Sequence, residues 1–451
     1  MKIKLFVTLV LVAAVVFSSA IIANAQTCPP LAAGCLDNTF GNGGTSVTWV
    51  PATLNLPSAK GVAQSDGKIL SLADAHLNTG ISFTNVIIRY NTDGTIDSTA
   101  FGSGGIVYMN WHGANNSFGN AYAIAIQAVE TTPGVTEEKI IVAGATNGSS
   151  PAFLRVDRYN SDGSVDASFG TNGRTILNAG YALAVAIQPD GKILTMGDVS
   201  VLVRLNADGT PDTTFGSNGV SQANSGVKAR SLAVQSNGRI LAVGGSTASG
   251  KNILTVTRFN SNGTLDDGRS LDSTPGDSFG TAGKTTVDFF GAGSGGNDVK
   301  IDGSGKIVVA GAALRKGSTP SDFGVARLTA NGQLDTTFGV GGKATVDFNN
   351  AQDSALNLEL QSNGKIVLIG GTNTSSTSVK NFAMARLTPA GTLDTTFGQG
   401  GKITTDFSGE WENVSSGVIQ RDPLCYCERI VAIGTIETAG QAYAVAARYL
   451  P

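Results

Sequence analysis

The commonest chemistry-bearing pattern in this chain is a nine-residue frame, Arg-x-Asn-x-Asp-Gly-x-x-Asp. It is complete at Arg89–Asp97, Arg158–Asp166 and Arg204–Asp212 and returns, with drift in its middle, from Arg258, Arg327 and Arg386. Its spacing matches acidic calcium loops that read Asp-x-Asp-x-Asp-Gly-x-x-Asp. Calcium takes six to eight oxygen ligands, whereas the first position here is always arginine, which has five donors and no lone pair to offer a cation. The ninth position keeps its acid, as Asp97, Asp166, Asp212, Asp266, Asp335 and Asp394. The expectation is a guanidinium where the metal would sit, each Arg bound to the Asp eight residues on, in bidentate fashion, to hold a turn between repeats. Asx-turns precede the glycine. No metal and no cofactor are implied.

Other candidates are sparser. His76 and His112 are the only histidines, and no Ser-His-Asp spacing, nucleophile elbow or metal-type histidine cluster can be assembled around them. Asp288, Asp347 and Asp406 recur after a Thr-rich stretch and could line one face as carboxylates for acid–base work; solvated strand-end acids are the simpler account. The three tryptophans, Trp49, Trp111 and Trp411, fall in or just before corresponding loops of the first, second and last repeats. With His112 beside Trp111 and Glu410 beside Trp411, they form a candidate ligand-binding surface, for which at least one tryptophan should be solvent-accessible.

The elements that must position these residues are short strands. Phe-Gly steps at Phe40, Phe101, Phe169, Phe215, Phe279, Phe338 and Phe397 mark an internal repeat of close to sixty residues. An internal period in this range signals an array, solenoid or propeller. Each unit parses into four strands. In the sixth they are 343–348, 355–360, 365–370 and 381–387, with a hairpin turn at Ser362-Asn363-Gly364. No helical period of any length appears beyond the N-terminus. Strand-three starts at Ile69, Ile140, Ile193, Ile240, Ile307, Ile366 and Ile430 count seven units, which fits an all-β, seven-bladed β-propeller of four-stranded antiparallel blades.

The linker pattern ending in Phe-Gly, followed by Asp-Gly-Lys-Ile, resembles the bacterial delta-60 repeat family from Leu36 to Arg448. That resemblance implies a β-propeller and no transferable activity.

The chain has 451 residues, 59 glycines, 14% charged residues and a formal net charge of −3. Glycine far above the usual ~7% suits tight turns rather than disorder, and the near-neutral charge gives no case for nucleic acid or anionic membranes. Residues 1–25 read as a secretory signal: Lys2 and Lys4, an apolar run from Leu5 to Phe17, and Ala23-Asn24-Ala25 before a cleavage at Gln26. Residues 26–35 are a cysteine-bearing segment, and 36–451 a single propeller. The chain is expected to be secreted or otherwise extracytoplasmic, at the cell surface or in the periplasm, with no membrane insertion after cleavage.

Cys28, Cys35, Cys425 and Cys427 then favour disulfides. A bridge within Cys425-Tyr426-Cys427 would be strained, since extended residues two apart place their Cα atoms about 6.6 Å from each other. Two bridges between the chain ends are expected instead. The ends also share one linker: Asp37 has no Arg before it and Arg448 no Asp after it, so Arg448 should pair with Asp37 and close the ring. The function expected is binding or scaffolding of a protein or glycan without catalysis. An extracytoplasmic polysaccharide hydrolase or lyase is the alternative, and a surface adhesin built as an open β-solenoid the third.

Overall fold

The computed structural model describes residues 24–25, 32–49, 60–75, 84–111, 119–146, 153–197, 200–221, 225–248, 250–269, 277–316, 320–373, 380–407, 411–421 and 427–451. One repeat shows why these residues make strands. Asp353–Leu360 largely alternates buried and half-buried positions, its successive side chains turned to opposite faces of the sheet. Ile366–Asn373 and Lys380–Leu387 are apolar almost throughout and buried on both faces. Lys402–Asp406 closes the sheet with lysine and threonine at its rim. Between the first two strands Gly364 adopts φ +79° and donates to the Gln361 carbonyl at 2.9 Å, while Asn363 Oδ1 caps Lys365 N at 3.0 Å.

Seven such sheets form the ring, each antiparallel and in chain order from the axis outwards, except that blades six and seven take their outermost strand from the start of the chain. The inner strands are Lys60–Ala63, Asn120–Thr132, Ala184–Ile187, Lys228–Val234, Ser294–Ile301, Asp353–Leu360 and Trp411–Arg421. Four-stranded blades are the rule, with two departures. Blade three has three strands, and its outer strand is reduced to a bridge between Val203 and Val220. Blade six gains a fifth, Asn24–Ala25, against Thr405 and Asp406. Among the described residues no helix is long and apolar enough to cross a membrane.

The repeat read from sequence is out of phase with the blades. The stretch taken as the first strand of each unit is the outer strand of the preceding blade: Lys343–Val346 pairs with Ser321–Leu328, not with the strand that follows it. The Arg-to-Asp frame is therefore a hairpin within a blade and not a linker between blades. A repeat in sequence fixes the period; hydrogen bonding fixes where the sheets are cut.

The core lies between blades. Each of the seven apolar clusters draws on two consecutive blades, including one that joins Ile69, Val86 and Ile88 of blade one to Val418, Val431 and Ile433 of blade seven. The ring is thus closed. Its seam is a single strand from near the start of the chain, Thr45–Trp49, which completes blade seven by pairing with Gln441–Tyr449. Leu450 N donates to the Cys35 carbonyl at 2.9 Å, and Gly34 N to the Leu450 carbonyl at 2.9 Å.

Candidate functional site

The repeated arginines are spent on structure. Nε of Arg89, Arg158, Arg204, Arg327 and Arg386 lies 2.9, 2.8, 2.7, 2.7 and 2.7 Å from Oδ2 of Asp97, Asp166, Asp212, Asp335 and Asp394. Arg258 makes the same contact with Asp266, and across the seam Arg448 Nε is 3.0 Å from Asp37. The contact is not the two-oxygen fork expected of it. In most copies Oδ1 is taken by the Ser or Thr two residues on, as Thr337 Oγ1 donates to Asp335 Oδ1 at 2.7 Å. The spare Nη1 reaches the next blade, donating to the Ala207, Ala330 and Pro389 carbonyls at 2.7, 2.7 and 2.6 Å from Arg158, Arg258 and Arg327. A second cation from the turn of the same blade completes each cluster in most blades, among them Lys306 on Asp335 at 2.7 Å and Lys365 on Asp394 at 2.8 Å. Hydrogen bonds from Lys306 and Thr337 hold the Asp335 carboxyl well below the usual carboxylate range.

Each guanidinium also lies over the Phe of its own Phe-Gly step, 4.3 to 4.9 Å from the ring centroid. That Phe is buried and abuts the next blade. A Cβ on Gly391, at φ +85°, would lie 2.8 Å from the Phe338 ring, so the glycine is required by both its backbone and its neighbour.

The tryptophans do not form one surface. Trp111 is fully buried, with the Arg155 guanidinium 4.5 Å over its ring and Asp157 holding that arginine through two bonds of 2.8 and 2.6 Å. It packs among Leu72, Met109, Ala121 and Val142, because blade one's outer strand ends beside the second blade. Trp49 is 43% exposed at the end of the seam strand. Trp411 begins the inner strand of the same blade, opposite Glu437. His76, His112 and Glu410 lie outside the described residues.

Asp288, Asp347 and Asp406 occupy equivalent crossovers of three successive blades and do not pair with one another. Asp288 Oδ1 accepts Gly291 N at 2.7 Å, and Asp347 Oδ1 accepts Asn350 N at 2.8 Å. One closer group does form: a carboxylate oxygen from each of Asp322, Asp347 and Asp353 falls within 4.8 Å of the others. Arg315 binds two of the three, at 2.8 Å to Asp322 and 3.3 Å to Asp347. Asp353 receives Phe348 N at 2.7 Å, the same crossover staple that Glu412 makes with Phe407 N at 2.6 Å one blade later. Burial pushes the Asp353 carboxyl up to about 6 against its hydrogen bonds from Thr372 and Phe348.

The axial wall differs from all of this. By register with the second strand, Lys60, Ala123, Ala184, Ser231, Asp298, Asn357 and Ser416 occupy one level of the seven inner strands. Blades two and three present alanine; blades four to six present a polar chain. Asp298 takes Ser231 Oγ at 2.6 Å, Asn357 Nδ2 at 3.0 Å, and the backbone of Val299 and Leu358 at 2.8 and 2.9 Å. Two residues further on, Lys300 Nζ is 3.0 Å from Glu359 Oε1. Burial opposes the charge on Lys300, but Glu359 and Asp298 outweigh it and raise its pKa. Arg230, the bulged residue of its strand, reaches only the Asn297 side chain at 3.3 Å. Burial lowers the pKa of Lys60, Asp298 works against that, and the charges of Arg230 and Lys300 add to it.

These residues do not repeat, so no motif of the sequence contains them. The signal that finds them is a break in pattern: charged and amide side chains at inner-strand positions where other blades carry Ala. Cys35 and Cys427 are both disulfide-bonded, and Cys28 and Cys425 lie outside the described residues.

Six segments, 64–99, 139–169, 188–215, 235–268, 303–338 and 361–397, match DUF5122, a domain of unknown function described as a β-propeller. No curated protein matches the chain. Among solved structures, Sqt1 from Chaetomium thermophilum is similar over 71% of this chain and 68% of its own, at 10% identity and a TM-score of 0.40.

Proposed function

We propose that this chain, a β-propeller of the DUF5122 family, is an exported binding or scaffold module without chemistry of its own, whose ligand enters the axial channel. The observation that carries this is the asymmetry of the channel wall. Every repeated charge is consumed within the ring, whereas Lys60 and Arg230 have no carboxylate partner among the described residues. Export rests on the Lys2/Lys4, apolar-run and Ala23-Asn24-Ala25 pattern. Intact-mass analysis of protein recovered from the medium or periplasm checks it, with cleavage before Gln26 expected.

Binding is tested by arraying the full chain against glycans and peptides alongside ester and glycoside substrates. Saturable binding without turnover is expected; turnover lost on Asp353→Asn would reverse the assignment. A hydrolytic role has one observation in its favour, the raised Asp353 beside Asp322 and Asp347. Against it, Arg315 already occupies two of those acids.

Bridges between the chain ends draw support from the seam. Arg429, two residues after Cys427, lies 3.1 Å from Asp37, two residues after Cys35. Non-reducing peptide mapping should join Cys28 and Cys35 to Cys425 and Cys427; a Cys28–Cys35 peptide would refute the pairing.

A further inference from the structure

Buried cations in this protein are otherwise satisfied with care. Each hairpin arginine has a carboxylate, one or more further oxygens and an aromatic face. Lys60 breaks that rule. It stands on the inner strand of blade one, at the level held by Ala in blades two and three, with no carboxylate in salt-bridge reach. The nearest acids are already used: Asp298 accepts four hydrogen bonds and Glu359 is paired with Lys300. Arg230, the exposed bulged residue of blade four's inner strand, is held by one amide, and its charge acts on Lys60. Lys300 adds a second positive charge to the field at Lys60, against the one negative charge of Asp298. Leaving a cation unpaired in a confined space costs stability, and the low-dielectric walls focus its field on whatever enters.

We propose that the axial channel binds an anionic group, a carboxylate or phosphate, between Lys60 and Arg230. Arg230 supplies a planar fork for two oxygens and Lys60 a point charge from the other side. This inference rests on the channel being the binding surface, and it names the chemistry that the surface recognises.

The test is calorimetric titration of the full chain at low ionic strength with inorganic phosphate and, separately, acetate, which tells the two oxyanions apart. One equivalent should bind, and Lys60→Met and Arg230→Gln should each weaken it tenfold or more. Arg269→Gln, which alters a 75% exposed side chain, should bind like the unaltered protein. Lys60→Met should also melt at the same temperature as the parent or higher, since it removes an unpaired charge. Phosphate and acetate binding that survives Lys60→Met would overturn the proposal, as would a lower melting temperature in that variant, which would make Lys60 a structural residue. An array ligand that binds Lys60→Met and the parent equally would leave the binding module standing and remove only the anion site.

Discussion

Two populations of charge divide this molecule. The hairpin clusters, such as Arg327–Asp335–Lys306 over Phe338, recur around the ring and are fully engaged. The axial group of Lys60, Arg230, Asp298, Lys300 and Glu359 occurs once and leaves two cations over. The hairpin arginines are buried, whereas Lys60 is half-buried and Arg230 exposed; satisfaction separates the two groups as well. A buried pair that repeats with every blade marks a load the architecture must carry each time. A charge that appears once and is left unpaired marks a cost that the ring itself does not require.

The largest effect expected from breaking this contrast is at the hairpin. Arg327→Ala leaves Asp335 with Lys306 alone and frees the Pro389 carbonyl, and should destabilise by about 3 kcal/mol, the low end for breaking a buried pair, read by urea unfolding. Chelators should leave the melting temperature unchanged, since the guanidinium fills the position a metal would hold.

Next comes pH, where the two kinds of carboxylate pull in opposite directions. Asp74 is buried with only Asn85 as partner, and burial pushes it up to about 7 from 3.8. Its raised value gives stability that is complete below 3.8 and lost as pH rises through about 7. The hairpin acids behave the other way. Asp335 and Asp394 are held low, so their contribution is present above 3.8 and lost as pH falls through their folded values. Asp74→Asn should therefore flatten the loss of thermal stability between about pH 4 and 7 and leave the acid limb set by the hairpin carboxylates unchanged. An unchanged slope would mean that Asp74 is neutralised by other means.

A smaller effect of opposite sign belongs to the channel: Lys60→Met should gain up to about 1 kcal/mol. Smallest is the optical signal. Acrylamide should quench Trp49 fluorescence and spare Trp111, so Trp49→Phe lowers the quenchable fraction and Trp111→Phe raises it. Equal quenching of both would place Trp111 at the surface.

Much of the ring was legible in the sequence because its physics is periodic. Phe-Gly steps, Asn/Asp-Gly turns and the Arg-to-Asp spacing state the number of blades and which side chains recur together. Blade phase was not legible, since Lys343–Val346 is equally good as the start of one sheet or the end of another until its partner is known. Trp49 is exposed as expected of at least one tryptophan, but Trp111 sits under Arg155, whose own partner Asp157 is two residues away in a strand that gave no signal. The axial site was hidden for a related reason. Ser231, Asp298 and Asn357 are unremarkable in their own strands and meaningful only when register stacks them at one level.

The strand that seals blade seven has a consequence in time. Thr45 pairs with Ala447 across about four hundred residues; apart from this pairing and that of Asn24–Ala25 on blade six, the strand pairings join neighbours in the chain. During synthesis this strand emerges almost first and must stay unpaired until the last strand arrives, its hydrogen-bonding edge exposed throughout. The final sheet is thus an assembly step of high contact order added to six local ones. A circular permutant that joins Pro451 to residue 32 and opens the chain between blades three and four would turn that step into a local hairpin. It should refold faster to the same ring, with the slow, aggregation-exposed interval moved to the new seam.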